Sequence, residues 1–269
     1  MSAGAYGTPQ ILMASGVGPG QHLQDVGVTP VLDLPGVGQN LQDHISALLI
    51  YRALVPDHTV GISPIGVARL LSAMWTWRRH RRGLITSCAA ESGVYYRTDP
   101  AVEVSDMEME LIVGIADDHG RKLHLGHGYS AHLLLARPRS IGEVRLASAD
   151  TRVDPLIDPR YFSHPYDMET LVKGTQIALD IMSGPAFDRF RGDMLIHYDR
   201  DDPSQIEQTL REYADTEYHP CGTAKMGPDA DPMAVVDARL RVRGIEGLRV
   251  ADASVMPAIT SNNIHAPVI

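Results

Sequence analysis

Two short runs concentrate the residue types that could move a proton. Tyr218-His219-Pro220-Cys221-Gly222-Thr223-Ala224-Lys225-Met226-Gly227 and the closing Thr260-Ser261-Asn262-Asn263-Ile264-His265-Ala266-Pro267-Val268-Ile269 each carry one histidine among small residues. Such neighbours leave room for a flat group against the backbone, whereas a core histidine usually sits among bulky apolar side chains. A neutral imidazole, with an unperturbed pKa of about 6.5, can accept a hydroxyl proton, and a second one can donate to the oxygen left behind. Such chemistry is the first half of alcohol oxidation. No side chain accepts the hydride that leaves the carbon, so a cofactor must. The chain holds 12 histidines, most of which must be placed without function, so residue type alone leaves an ordinary core or surface role open for both.

The surrounding elements must position these runs. Leu248-Arg249-Val250-Ala251-Asp252-Ala253-Ser254-Val255-Met256-Pro257 reads as an apolar strand ending in an acid and small residues, a pattern common where phosphates or ribose are held. Residues 2–18 read as a tight turn feeding a short helix, with Thr8 as N-cap, Pro9 at the first helical position and Gly16 ending it at positive φ. Val67 to Arg82 has helical apolar spacing and ends in Arg78-Arg79-His80-Arg81-Arg82-Gly83. The basic run is read as a solvated helix terminus meeting the negative end of the dipole, and Trp75 and Trp77 as packing residues. Met107 to Val113, Ala131 to Ala136 and Gly142 to Leu146 read as strands; Tyr166 to Met182 and Pro203 to Ala214 read as helices, the second capped by Ser204 with Glu207 at capping-box spacing. Asn40, Asp43 and His44 fall in a polar loop that braces the fold, with no catalytic role assigned to His44.

Composition narrows the class. With 269 residues and 44% hydrophobic content the chain can bury a sizeable core. A net charge of -9 disfavours a nucleic-acid partner held by general electrostatics and points to a small molecule. Cys88 and Cys221 form no disulfide framework or metal-ligand spacing, which suits a reducing, cytoplasmic compartment, and no apolar run is long enough to span a membrane. Asp117 to Gly128 gathers acids with His119, His124 and His127, but its glycines break any helix that would fix them. No metal is assigned there.

Several ordered motifs together resemble the glucose-methanol-choline (GMC) flavoprotein oxidoreductases, and within them the choline-dehydrogenase-like alcohol dehydrogenases. They are Gly4 to Gly18, which is similar to the family's second signature, Val37-Gly38-Gln39-Asn40-Leu41-Gln42-Asp43-His44, Arg137 to Leu146, Pro155 to Pro159, and the two histidine runs. The resemblance implies an α/β (α+β mixed) fold, with part of a Rossmann-like FAD-binding domain and a substrate domain built on a mainly antiparallel sheet flanked by helices. The expected boundaries are a remnant of the FAD-binding domain over 1–49, a substrate-binding domain over 50–236 and a return to the first over 237–269, with C-terminal family homology from about 137 onwards. The implied cofactor is FAD, bordered by the backbone of Ala3, Gly4 and Ala5 and by Asp252, Ala253, Asn263 and Pro267. His219 is then the base and His265 the second donor, although many choline-type relatives have Asn there. Glu91 is a candidate contact for a cationic substrate, weighed against an ordinary salt bridge. The implied reaction oxidises a primary alcohol and passes electrons to oxygen or another carrier. The family's opening G-x-G-x-x-G turn does not occur, so the sequence is read as an internal piece of a larger enzyme. An inert fragment or binding module, and more distantly a metal-dependent hydrolase, are the alternatives.

Overall fold

The computed structural model describes residues 1–269. In chain order the elements are α1 (Gly4–Ala14), β1 (Val17–Gly18), α2 (Gly20–Asp25), β2 (Leu32–Asp33), β3 (Gln39–Leu41), β4 (Ile45–Ala53), β5 (Gly61–Ile62) and α3 (Pro64–His80). There follow β6 (Ala90–Tyr96), β7 (Met107–Ile112), β8 (Gly126–Leu135), β9 (Gly142–Arg145) and β10 (Leu156–Asp158). The last elements are α4 (Pro165–Met182), β11 (Arg191–Met194), α5 (Pro203–Tyr213), β12 (Asp215–Thr216) and α6 (His265–Val268). They fall into two compact units.

The first unit comprises residues 1–45, 136–167 and 216–269. Its core gathers Leu12 and Met13 of α1 with Val17, Leu23, Val235 and Val250. β1 pairs with β2 in parallel, and β9 lies antiparallel between β10 and β3. The second unit comprises residues 46–135 and 168–215. It is built on a sheet of order β11-β4-β8-β7-β6, in which β6, β7 and β8 form an antiparallel meander with Met107 opposite both Tyr96 and Leu135. α4 packs closely on this sheet because residue 174 is glycine: a Cβ there would stand 2.6 Å from the Met107 side chain. Mixed helices and antiparallel sheets are the expected fold class. The first crossing between units falls close to the expected 49/50 boundary, but residues 136–167 and 216–236 belong with the first unit rather than with the residues between them.

Four local expectations need correction. α1 begins at Gly4, so Thr8 and Pro9 lie inside it. Pro9 leaves the Ala5 carbonyl without its helical N–H, and the Thr223 hydroxyl donates to that oxygen at 2.6 Å instead. Residues 248–252 form no named strand, only an isolated bridge between Arg241 and Arg249, and Ala253–Val255 is a 3-10 turn. α5 is capped by Asp202, whose carboxylate accepts from the N–H groups of Ser204 and Gln205, and not by Ser204. Trp75 and Trp77 are not packing residues, since they are 62% and 40% exposed.

Candidate active site

The site lies in the first unit and is built around His219. Tyr218, just before it, has φ of 60°, a left-handed conformation that costs about 1 kcal/mol or more in a non-glycine residue. That turn is held from both sides. Thr216 Oγ1 accepts the Tyr218 N–H at 2.9 Å, and Asp43 Oδ1 accepts the His219 N–H at 2.9 Å. The other carboxylate oxygen of Asp43 accepts the Tyr161 hydroxyl at 2.6 Å and a short bond from the Thr216 hydroxyl. Asp43 is 4% exposed, and burial holds its carboxyl above the usual range despite these donors. Burial, with the charge of Asp43 added, pushes both the Tyr6 hydroxyl and the Cys221 thiol up to about 12.

A second imidazole meets His219, and it is His44. The Nδ1 atoms of the two rings are 2.9 Å apart, and the rings cross at 89°. His44 Nε2 lies 2.9 Å from the carbonyl oxygen of Thr260, which can only accept, so Nε2 of His44 carries a proton. Burial lowers the His44 pKa, so the ring is neutral and its Nδ1 is a lone pair. His219 must therefore donate to it from Nδ1. In a neutral His219 the remaining nitrogen, Nε2, is then an unprotonated acceptor. Among the neutral forms, these two contacts favour a proton on Nε2 of His44 and on Nδ1 of His219.

The other candidate residues take separate places. His265 begins α6, is exposed, and makes no side-chain hydrogen bond or ring contact; the structure does not bring it against His219. Gly4 donates its N–H to Asp252 at 3.1 Å, and Thr8 donates its hydroxyl to the same carboxylate oxygen at 2.6 Å while accepting from the Ala3 N–H at 3.3 Å. Ala253 is buried with Cys221 and Ile264, Asn263 is half-buried, and Pro267 is exposed on α6. The closing run is tied back by Arg137, which donates from Nε to the Ser261 hydroxyl at 2.8 Å.

In the second unit, Glu91 is exposed and accepts the Ser87 hydroxyl at 2.6 Å, a hydrogen bond rather than a salt bridge. His124 pairs with Asp117 at 2.6 Å, while His127 bonds Thr59 and Ser63. Those two histidines thus serve different partners.

Sequence reasoning passed over Asp43, His44, Tyr161 and Thr216. His44 lies 175 residues from His219 in the chain, so no spacing rule links them. The signal available was the Asp43-His44 pair standing inside a motif rather than in a variable loop.

This arrangement is a mixed α/β scaffold with a paired-imidazole site. A GMC oxidoreductase model matches residues 138–269 and a second GMC oxidoreductase model matches residues 1–46; the chain belongs to the GMC oxidoreductase family. It is 38% identical over 270 residues to an oxygen-dependent choline dehydrogenase of Rhizobium rhizogenes, covering 100% of this chain and 49% of that protein. It is also 38% identical over 275 residues to an alcohol dehydrogenase (acceptor) of Pseudomonas putida, covering 100% of this chain and 48% of that protein. The chain spans about half the length of these curated relatives. Among solved structures, formate oxidase of Aspergillus oryzae RIB40 superposes with a TM-score of 0.88 at 26% identity, over 99% of this chain and 51% of that one. Pyridoxine 4-oxidase from Mesorbium loti superposes with a TM-score of 0.81 at 28% identity, over 99% and 48%. The cofactor of the family is FAD.

The residues present fit such a group. At the start of α1 the Gly4 N–H is held by Asp252, and a Cβ on Gly4, at φ of 79°, would meet open space. A flat group can approach that backbone without displacing a side chain.

Proposed function

We propose that this chain forms part of an FAD-dependent enzyme that oxidises a primary alcohol to the aldehyde, with His219 as the general base. FAD, when bound, supplies the two-electron acceptor. The Nε2 lone pair of His219 takes the hydroxyl proton as the carbon is oxidised, because a hydroxyl is far too weak an acid to ionise unaided near neutral pH. Once protonated, His219 still donates from Nδ1 to His44, so the hydrogen bond survives the transfer. The buried Asp43 carboxylate, whose charge interacts with His219, favours the imidazolium that results. Asp43, Thr216 and Tyr161 hold the Tyr218 turn and thereby the direction in which His219 points. His265 is proposed as the second donor to the substrate oxygen, and the backbone of Ala3, Gly4 and Ala5 with Asp252, Ala253, Asn263 and Pro267 as the border of the FAD site.

The observation that carries this reading is the 2.9 Å contact between the two Nδ1 atoms, since it directs the Nδ1 proton of His219 toward His44 and leaves Nε2 as the basic nitrogen of the neutral ring. The family relatives that act on alcohols support the substrate class. Anaerobic flavin reduction by a primary alcohol, followed in the FAD-loaded protein, is the test. His219→Ala is expected to slow it by about two to four orders of magnitude. An unchanged rate would remove His219 from the reaction.

A further inference from the structure

Helix α3 is amphipathic, but it is mounted with its apolar face outward. Val67, Leu70, Leu71 and Met74, spaced at i, i+3, i+4 and i+7, are all more than half exposed, as is Trp75. The residues turned inward are small or polar: Ala73 is buried, and Gly66, Arg69 and Thr76 are half-buried. Arg69 is fixed there by Asp57 and the Pro56 carbonyl. The apolar surface continues past the helix. Leu123 and Leu125 of the neighbouring loop are 79% and 76% exposed, and a cavity of about 380 Å³ lined by Val67, Leu70, Leu84 and Leu123 joins loop to helix. An apolar patch this continuous marks an interaction surface.

The charge around it is one-sided. The chain carries 33 acidic residues and a net charge of -9, yet residues 58–90 contain neither Asp nor Glu. Arg78, Arg79, Arg81 and Arg82 are exposed at the C-terminal end of α3, and none of them forms an ion pair. Arg79 lies over the Trp75 ring at 5.6 Å and Arg81 over the Trp77 ring at 4.6 Å. Tryptophan beside unpaired arginine, next to an apolar stripe, is the arrangement that settles at the boundary between acyl chains and headgroups. The rings take the boundary, and the guanidinium groups reach the phosphates.

We propose that α3 and the loop carrying Leu123 and Leu125 form a docking surface for an anionic lipid bilayer, with the helix lying in the headgroup plane. It lies on the membrane and does not cross it, since no helix is long and apolar enough to span. Anionic lipid suits the site better than another protein of this chain's character, because four unpaired arginines stand together at one end of the apolar stripe, and headgroup phosphates neutralise all of them at once. The inference does not depend on the reaction assigned to His219.

Trp75 and Trp77 are the only tryptophans in the 269 residues, so intrinsic fluorescence reports on this face alone. Vesicles of phosphatidylcholine with one third phosphatidylglycerol are expected to shift the emission to the blue and to carry the protein down on sedimentation. Pure phosphatidylcholine should do neither at the same lipid concentration. Binding should weaken with added salt and by about fivefold for each of the four changes in R78Q/R79Q/R81Q/R82Q. Leu71→Glu, at a position already exposed, should abolish it while leaving the far-ultraviolet circular dichroism unchanged. Three results would overturn the proposal: no shift with the anionic vesicles, equal binding by wild type and both variants, or a blue-shifted dimer in the absence of lipid.

Discussion

Which nitrogen of His219 carries the proton decides what the residue can do, and His44 makes that choice. A neutral, buried imidazole that has spent its only proton on the Thr260 carbonyl can only accept from its neighbour. Asp43 does a different task, through the backbone and two hydroxyls. Asp43→Ala leaves the His219 N–H and the Tyr161 and Thr216 hydroxyls without their acceptor, at about 1–3 kcal/mol for each group left buried and unsatisfied. An unfolding free energy in urea lower by several kcal/mol is expected, with Asp43→Asn losing less because an amide oxygen still accepts. Equal, small losses would show that the network does not hold the turn. The pH dependence has a defined sign. The folded His44 pKa lies below its ordinary 6.5, so as pH falls below about 6.5 the unfolded chain gains a proton that the folded chain refuses. Stability is therefore complete above that pH and declines below it, by up to about 1.4 kcal/mol per pH unit for one proton. His22, also lowered by burial, contributes a similar slope, so the difference between wild type and His44→Gln isolates His44. Asp43 acts in the opposite sense at lower pH, since its carboxyl, held above 3.8, takes up its proton first in the folded state. If the variant keeps the wild-type slope in urea titrations between pH 5 and 7, His44 is not buried neutral.

Elements were legible where periodicity and local chemistry agree. α4 and α5 and strands β7 to β9 follow from apolar spacing, because each needs only its own residues to declare a face. Their ends were less legible. α5 starts on Asp202 because a carboxylate two residues upstream of Ser204 reaches two N–H groups, whereas the capping-box pattern directed attention to Ser204. Asp202→Ala should cost about 1 kcal/mol of stability, measured by thermal or urea unfolding, and Ser204→Ala little; the reverse ranking would restore Ser204 as the cap. α1 could not be bounded from sequence because Pro9 normally marks a first turn, and its tolerance here depends on the Thr223 hydroxyl, which donates to the Ala5 carbonyl across 218 residues of chain. Trp75 and Trp77 were misplaced for a related reason. Helical apolar spacing reveals a stripe but not whether the stripe faces core or solvent.

On the scale of the whole molecule, the family was readable because its motifs recur in order along the chain, and both family models align with the residues that carried the resemblance. The site was half readable. His219 stands out among small neighbours, but its companions come from residues 43, 44, 161 and 216, brought together only by the fold of the first unit. The sequence paired His219 with His265, the other histidine in small-residue surroundings, and missed His44 because its motif reads as a loop. The most direct test of the account is long-range proton–nitrogen NMR of the histidine rings in this 269-residue chain at pH 8, which reads each tautomer without cofactor or substrate. The expected spectrum shows His44 protonated at Nε2 and His219 protonated at Nδ1 with Nε2 bare. A His219 ring protonated at Nε2, or a His44 ring protonated at Nδ1, would contradict the claim that this pair holds a base ready for an alcohol proton.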